Sequence, residues 1–154
     1  MSSDHPNGGS FLAYPQIIRL LMDSSFRREK LAEVNPRVLK RCPLADIDRE
    51  YSLNDIAIIT RAGPARILGL KHKGHLGIGA DADIAVYTPD PNYETMFAWP
   101  AMVIKGGEIL MKDGEFQQQF AGKLLNTSRD FDIGRGEKIE KWFEKNYSIP
   151  MKAV

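Results

Sequence analysis

The sequence has little of what several specialised protein classes need. Its single cysteine, Cys42, excludes an intrachain disulfide, and we interpret it as a small hydrophobic side chain in a loop before Pro43. A formal net charge of +1 gives no electrostatic reason to expect nucleic acid or an anionic membrane as a partner. No apolar run approaches the roughly 20 residues that span a bilayer, and the polar N-terminus does not resemble a signal peptide. These features predict a cytoplasmic protein.

Histidine is also scarce, with three in the chain. His72 and His75 have an H-x-x-H spacing that can bind a metal, but no third ligand lies nearby, so we interpret them as solvent-exposed loop residues. His5 directly follows Asp4. A carboxylate can bind a metal or act as a general base, and an adjacent imidazole can donate hydrogen bonds to a substrate. Motifs of serine hydrolases, phosphate-binding loops, zinc proteases and thiol redox proteins do not occur.

The composition is that of an ordinary globular protein. The 154 residues are 43% hydrophobic and 27% charged, which suits one compact domain with or without appendages. The chain opens on S-S-D-H-P-N-G-G, a turn-rich loop with no strand or helix before it. Such loops usually sit on a scaffold that positions them. We therefore expect the chain to be the C-terminal part of a larger protein.

The first half of the chain has a helical pattern. A helix is predicted from about Pro15, where the missing proline N–H is not needed. Residues 26–49 are divided by prolines into short helical turns or loop. A second helix is predicted from Ser52, an N-cap residue, with Asp55 completing a capping box. The Gly63-Pro64 pair is predicted to end that helix and to open a short one, closed by Gly69.

The second half has strand and turn signals. The stretch Gly74–Thr88 combines three glycines, two aspartates and an alternating apolar run, which predicts tight turns followed by a strand. Residues 89–98 are predicted to be a proline-broken loop. Gly106-Gly107 then joins two predicted strands, and Asp113-Gly114 leads into a third, over 115–120. An amphipathic helix is predicted over 136–147.

The pattern of residues 52–87 resembles the C-terminal signature of the amidohydrolase superfamily. The matching strings are I-I-T-R-A-G-P-A at 58–65, L-G-L at 68–70, G-H-L at 74–76 and G-A-D-A-D-I-A-V at 79–86. Within that superfamily, S-D-H-P-N-G-G at 3–9 and T-R-A-G-P-A-R at 60–66 resemble the A-type subunit of formylmethanofuran dehydrogenases. That resemblance runs from Ser2 to about Phe120, and more loosely to the end of the chain.

The resemblance implies an α+β architecture. Residues 1–70 would be the C-terminal segment of a (β/α)8 barrel, with an active-site loop at 2–9 followed by helices. Residues 71–120 would supply strands of a small, composite, urease-like β-sandwich domain. Residues 121–154 would form a C-terminal extension with the amphipathic helix.

The resemblance also implies a chemistry. Members of that family interconvert formate plus methanofuran and N-formylmethanofuran at a binuclear zinc site, in archaeal C1 metabolism and methanogenesis. Asp4 would be the metal ligand and general base, and His5 and Asn7 would line the substrate pocket. A tungsten or molybdenum cofactor belongs to a partner in the oxidoreductase complex.

The other zinc ligands of the superfamily are absent from this sequence, because three histidines cannot rebuild a binuclear site. We therefore expect the chain to be inactive alone and to need the missing barrel portion or other subunits. One alternative is a non-catalytic assembly module that uses its β-domain and the Trp142-Phe143 helix, and another is part of a different metal-dependent amidohydrolase. An exposed former barrel face would carry an apolar patch and would favour self-association.

Overall fold

The computed structural model describes residues 4–119, 121–125 and 132–148. The chain falls into two compact units, Met1–Lys123 and Leu124–Val154. In the first unit helices come first and a small antiparallel sheet follows, which agrees with the helical and strand patterns of the two halves of the sequence.

Three short helices follow the N-terminal loop. They are α1 (Tyr14–Met22), α2 (Ser24–Ala32) and α3 (Pro36–Leu39), with 3-10 turns at Phe11–Ala13 and Pro43–Asp46. The predicted helix start near Pro15 is confirmed, since proline occupies the first turn of α1. Asp23 separates α1 from α2 and caps α2, because its side chain accepts the Phe26 N–H at 2.9 Å.

The predicted capping box at Ser52 is confirmed. The Ser52 side chain accepts the Asp55 N–H at 3.2 Å, and the Asp55 carboxylate accepts the Ser52 N–H at 2.9 Å. The Asp55 carboxylate accepts from the Ser52 N–H, from the Ser52 hydroxyl at 2.8 Å and from Arg49 at 3.1 Å, and these hydrogen bonds lower its pKa to about 2. The box starts α4 (Leu53–Ala57).

The predicted helix break at Gly63-Pro64 is wrong. A π-helical turn (Ile58–Ala62) follows α4 and continues directly into α5 (Gly63–Ile67), with Gly63 in the right-handed helical region at φ −61°. The wider π turn lets the helical path pass through a proline that a regular α-helix would exclude. Gly69, with φ 69°, ends the path as predicted.

The apolar core lies between α1 and the helical path that starts at Ser52. Ile18, Met22 and Ile56 are buried, with exposed fractions of 7%, 4% and 2%. The partly buried side chains that pack around them are Leu21, Tyr51, Ile59, Tyr93 and Phe97. This cluster fixes the position of α1, which in turn supports the N-terminal loop.

Arg27 is a buried cation that ties the end of α1 to a distant segment. Its guanidinium donates to the carbonyl oxygens of Leu20 at 2.8 Å and Leu21 at 3.2 Å. It also donates to the carbonyls of Ile47 at 3.2 Å and Arg49 at 2.9 Å. These four carbonyls compensate the burial of the charge, and the two from α1 belong to its last turn, whose carbonyls a helix leaves without intrahelical partners.

The sheet has the strand order β1-β2-β3-β4, with all pairs antiparallel. The strands are β1 (Ile84–Val86), β2 (Met102–Lys105), β3 (Glu108–Lys112) and β4 (Glu115–Phe116). The Gly106-Gly107 turn is confirmed, with φ of 58° and 87°, and so is the Asp113-Gly114 turn. The strand predicted over 115–120 begins as expected but ends at Phe116; residues 117–119 are not in a strand, and Phe120 lies outside the described residues.

Between β1 and β2 the sequence prediction was wrong in one respect. Residues 93–98 form a helix, α6 (Tyr93–Ala98), rather than loop. Asn92 caps it, because its side chain accepts the N–H groups of Glu94 at 3.0 Å and Thr95 at 3.4 Å. The helix packs on α1 through Tyr93 and Phe97, so tertiary contact stabilises a segment that proline residues made to resemble a loop.

The second unit contains α7 (Ile133–Asn146), which begins three residues before the predicted helix and ends one residue before its predicted end. Asp132 caps it, and its carboxylate accepts the Arg135 N–H at 3.3 Å. Ile139, Trp142 and Tyr147 are all more than half exposed. Among the described residues, no helix is both long enough and apolar enough to cross a membrane.

Candidate functional site

The N-terminal loop forms a tight turn that carries all three predicted site residues. The Gly8 N–H donates to the Asp4 carbonyl at 2.8 Å, which closes the turn. Asp4 has a left-handed backbone, with φ of 51°. Residues other than glycine rarely adopt this conformation, and those that do are often found at functional sites. Asp4, His5 and Asn7 are all exposed. The structure therefore presents the predicted base and the predicted substrate-binding residues within one turn.

The turn is attached to the N-terminal end of α1. The Ser10 side chain accepts the Leu12 N–H at 3.2 Å and so caps the 3-10 turn that leads into the helix. Because Ile18 and Met22 anchor α1 in the core, the loop is carried by a packed element. Loops on packed scaffolds are where binding and catalytic groups are commonly placed.

His5 has a defined orientation within this loop. Its Nδ1 accepts the Phe11 N–H at 3.4 Å, and its ring meets the Phe11 ring edge-on, with centroids 4.7 Å apart. An imidazole nitrogen that accepts an N–H carries no proton, so the neutral ring has its proton on Nε2. His5 is therefore suited to donate a hydrogen bond from Nε2.

His75 has both ring nitrogens engaged within its own loop. Its Nδ1 accepts the Gly77 N–H at 3.1 Å, and its Nε2 lies 3.0 Å from the Lys71 carbonyl, to which it can only donate. His72 places Nδ1 3.1 Å from the Gly79 carbonyl, so that nitrogen is the donor. Both histidines are exposed, as predicted, and each makes a hydrogen bond to a backbone group of its own loop.

Asp81 and Asp83 form ion pairs with lysines. Lys73 Nζ lies 2.7 Å from the Asp81 carboxylate and 2.6 Å from that of Asp83. Lys105 Nζ lies 2.5 Å from Asp83, which also accepts the Gly106 N–H at 2.9 Å. Hydrogen bonds from Lys105 and Lys73 hold the pKa of Asp83 far below its usual range, and the two carboxylates raise the pKa of Lys73. Asp83 thus links the glycine loop, through Lys73, to the β2–β3 turn, whereas the ion pair of Asp81 with Lys73 lies within the loop region.

The donor set of the described residues does not fit a zinc centre. Within 4–119, 121–125 and 132–148, no group of three or more histidine, cysteine, aspartate or glutamate side chains is placed to hold a metal ion. Zinc sites in proteins take three or four protein ligands. Asp4 can supply one carboxylate of such a set.

A groove that the sequence did not predict lies between α1, the π turn and β1. It encloses about 390 Å³ and is lined by Tyr14, Pro15, Ile18, Ile59, Thr60, Arg61, Pro64, Tyr87 and Phe97. The Arg61 guanidinium donates to the Tyr87 hydroxyl at 3.4 Å, which links the T-R-A-G-P-A-R string to a residue 26 positions later. Sequence spacing gives no signal for such a pairing, because the fold brings the two residues together.

Comparison with known proteins points to one group of enzymes. A model of the amidohydrolase family (Amidohydro_3) matches residues 1–111. The chain is 41% identical over 147 residues to the A-type subunit of the formyltransferase/hydrolase complex Fhc of Methylorubrum extorquens, covering 96% of this chain and 27% of that protein. It is 38% identical over 164 residues to the protein FwdA of Methanocaldococcus jannaschii, covering 95% of this chain and 29% of that one.

A solved structure agrees with these relatives. The chain superposes with a TM-score of 0.78 and 40% identity on one polypeptide of the crystal structure of the formyltransferase/hydrolase complex FhcABCD from Methylorubrum extorquens, in complex with methylofuran. The match covers 98% of this chain and 28% of the other. The chain thus spans little more than a quarter of the length of the proteins that it matches.

Proposed function

Because the chain belongs to the amidohydrolase family, we propose that it is the C-terminal part of the amidohydrolase component of a formylmethanofuran dehydrogenase-type complex. The complete component would interconvert formate plus a methanofuran-type amine and the corresponding N-formyl amine. The observation that carries this proposal is the similarity of nearly the whole chain to the Fhc protein and to FwdA. One relative is bacterial and the other archaeal, so the proposal does not depend on an archaeal origin or on methanogenesis.

We assign the proton-transfer role in this reaction to Asp4. Hydrolysis of a formamide forms a bond between a water oxygen and the formyl carbon and breaks the C–N bond. The Asp4 carboxylate would accept one proton of the attacking water and return it to the departing nitrogen, which yields the amine and formic acid. Formic acid then transfers its proton to the more basic amine, so that the products are formate and the ammonium form of the amine. In the reverse direction the same carboxylate would take the proton of the attacking amine. The exposed position of Asp4 in a strained turn supports this role.

His5 and Asn7 would bind the substrate next to Asp4. Both are exposed residues of the turn that the Asp4 carbonyl and the Gly8 N–H close. The Nε2–H of His5 and the side-chain amide of Asn7 are hydrogen-bond donors, and formyl and carboxylate oxygens are acceptors. Zinc is the metal that we propose for the completed site, with its remaining ligands supplied from outside residues 1–154.

The partners of this chain would be the rest of the barrel and the other subunits of a complex. The similar solved structure is that of a complex of several subunits, FhcABCD, which supports this part of the proposal. We propose no catalytic step for the chain on its own.

Reconstitution tests the proposal. The chain is coexpressed with a segment that carries the remaining barrel strands of such an amidohydrolase component, and formate release from an N-formylated furfurylamine is measured. We expect turnover with the wild-type chain and none with Asp4→Asn. Asp81→Asn is the matched control, because Asp81 is an exposed carboxylate paired with Lys73 away from the turn, and this variant should retain activity. A wild-type mixture without formate release would count against the proposal.

A second candidate function is a non-catalytic assembly module. The observation that favours it is the exposed aromatic face of α7, where Trp142 and Tyr147 are 57% and 53% exposed and their ring centroids lie 5.9 Å apart. On this alternative, Trp142→Ala would weaken association with the other subunits, whereas Asp4→Asn would leave that association unchanged. The two candidates therefore make opposite predictions for Asp4.

A further inference from the structure

Phe11 holds the imidazole of His5 at two points. Its N–H donates to His5 Nδ1 at 3.4 Å, and its ring contacts the imidazole edge-on at an interplanar angle of 68°. The Phe11 amide is itself held in place by the 3-10 turn, in which the Ala13 N–H donates to the Ser10 carbonyl at 3.0 Å. The turn is thus formed by bonds that do not involve His5, and it provides a fixed support for the ring.

This contact selects one of the two neutral forms of His5. Since Nδ1 accepts the Phe11 N–H, the proton of the neutral ring is on Nε2. A histidine that binds a metal through Nε2 carries its proton on Nδ1, where it usually donates to a carbonyl or carboxylate. In this loop such a proton would point at the Phe11 N–H, and two donors would oppose each other. The support therefore favours donation from His5 Nε2 and disfavours metal ligation there.

His72 provides the opposite case within the same chain. Its Nδ1 faces the Gly79 carbonyl, an acceptor, so its proton is on Nδ1. His75 donates from Nε2 to the Lys71 carbonyl and accepts at Nδ1. The backbone group that faces each Nδ1, an N–H for His5 and His75 and a carbonyl for His72, thus determines the tautomer of that ring.

We propose that Phe11 is a positioning residue that holds His5 as a hydrogen-bond donor toward the oxygen of a formamide or carboxylate bound beside Asp4. This inference rests on the proposed function, because it takes the Asp4–Asn7 turn as the substrate site. Phe11 acts through His5, and its role requires no contact between its own side chain and the substrate. An oxygen acceptor is the ligand chemistry that an Nε2–H selects.

Nitrogen NMR of the 154-residue chain tests the tautomers directly. With ¹⁵N-labelled histidine at about pH 8, where an ordinary imidazole is neutral, three ring systems are observed. We expect His5 and His75 to carry the proton on Nε2 and His72 to carry it on Nδ1. A wild-type His5 with its proton on Nδ1 would overturn the proposal.

Two substitutions of Phe11 separate its amide from its ring. Phe11→Pro removes both the ring and the N–H at the first position of the turn, where proline is tolerated, and Phe11→Leu removes the ring alone, so the difference between the two variants reports the N–H. We expect the two His5 nitrogen resonances to move toward each other in Phe11→Pro, as both tautomers become populated, and to change little in Phe11→Leu. The resonances of His72 and His75 report in the same spectrum that the fold is intact. Unchanged His5 resonances in Phe11→Pro would contradict the positioning role.

Activity of the reconstituted enzyme gives the second measurement. We expect Phe11→Pro to lower kcat/KM for the N-formylated amine by about fivefold, the effect of losing one neutral hydrogen bond. Phe11→Leu should retain most of the wild-type kcat/KM. Equal kcat/KM for wild type and Phe11→Pro would overturn the proposal. Because the tautomer is measured without substrate, a wild-type enzyme that has the expected spectrum but releases no formate counts against the proposed function alone.

Discussion

Two glycines of the loop that follows α5 have the same backbone conformation but different surroundings. Gly74 and Gly79 have φ of 79° and 85°. A Cβ on Gly74 would lie 2.7 Å from the Arg61 carbonyl oxygen and 2.7 Å from the Ala65 Cβ, whereas a Cβ on Gly79 would meet no atom within 4 Å. The loop therefore packs directly on the helical path at Gly74 and turns in open space at Gly79.

This difference predicts unequal costs for the same substitution. Gly79→Ala should lower the free energy of unfolding by about 1–2 kcal/mol, the cost of a left-handed backbone for alanine. Gly74→Ala carries that cost and also pushes the loop off the backbone at Arg61, so its loss should be larger by at least about 1 kcal/mol. Urea unfolding of both variants measures the two losses. Equal losses would show that a Cβ at Gly74 adds no steric cost to that of the left-handed backbone.

The Asp83 carboxylate links the loop after α5 to the β2–β3 turn. It accepts from Lys73, Lys105 and the Gly106 N–H, and its side chain is 25% exposed. Asp83→Asn should lower the free energy of unfolding by about 1–3 kcal/mol, since it leaves charged partners without a carboxylate. Asp81→Asn is the matched control, because Asp81 is 48% exposed and pairs with Lys73 alone, and its loss should be smaller.

The stabilisation that Asp83 provides depends on pH in one direction. The pKa of Asp83 is lower in the folded chain than in the unfolded one, so its stabilisation is complete above the unfolded value of about 4. It decreases as the pH falls below about 4 toward the folded pKa. The stability difference between wild type and Asp83→Asn should therefore be constant near neutral pH and shrink in acid. A stability difference that grows in acid would contradict a lowered pKa of Asp83 in the folded chain.

The helical path from α4 to α5 shows where local sequence rules succeed and where they fail. Ser52 and Asp55 predicted the start of the path, because a capping box is formed by residues three positions apart. Gly63-Pro64 predicted an end that does not occur, because the rule assumes regular α-helical geometry. The π turn over Ile58–Ala62 changes that geometry, and nothing in the spacing of apolar residues announces it.

Gly63 is the position at which the π turn can be tested. Glycine to alanine in a helix usually stabilises, but here a Cβ would lie 2.9 Å from the Ile58 carbonyl oxygen and would also precede Pro64 in the helical region. Gly63→Ala should therefore lower the free energy of unfolding by about 1–3 kcal/mol. Gly134→Ala in the first turn of α7 is the control, because the nearest atom to its Cβ is the side-chain oxygen of Asp132, at 3.3 Å, and it should be neutral or stabilising. Stabilisation by Gly63→Ala, measured as a rise in Tm, would contradict the π turn.

The prediction of a loop over residues 89–98 was wrong for a different reason. The prolines at 89 and 91 indicated loop, yet Asn92 caps a six-residue helix directly after them. A helix of this length is not stable by itself, and its stability comes from packing on α1. Arg19 of α1 reaches Glu94 at 3.7 Å, and Tyr93 and Phe97 pack on the core cluster. Contacts between segments so far apart in sequence cannot be deduced from either segment.

For the molecule as a whole, the sequence predicted candidate site residues but not the contacts that surround them. The D-H-P-N-G-G string indicated Asp4, His5 and Asn7, and the structure places all three in one exposed turn. The support of His5 by Phe11, six positions later, and the groove around Arg61 and Tyr87 depend on contacts made by the folded chain, for which the sequence carries no signal. The assignment of roles to Asp4, His5 and Asn7 stays a prediction until the completed enzyme is assayed.

The proposal that the remaining zinc ligands come from outside residues 1–154 gives a final prediction, for the chain as a unit. His75 uses both ring nitrogens within its loop, Asp81 and Asp83 are neutralised by lysines, and Asp4 offers one carboxylate. A ligand that binds the folded state raises its stability by an amount that grows with occupancy, about 2.7 kcal/mol at a concentration 100 times its dissociation constant. Micromolar Zn²⁺ should therefore leave the Tm of the 154-residue chain unchanged, and so should a chelator, whereas the same chelator should inactivate the reconstituted enzyme. A saturable rise in the Tm of the chain with Zn²⁺ would show that it contains a zinc site of its own, and would contradict the proposal that the remaining ligands come from outside residues 1–154.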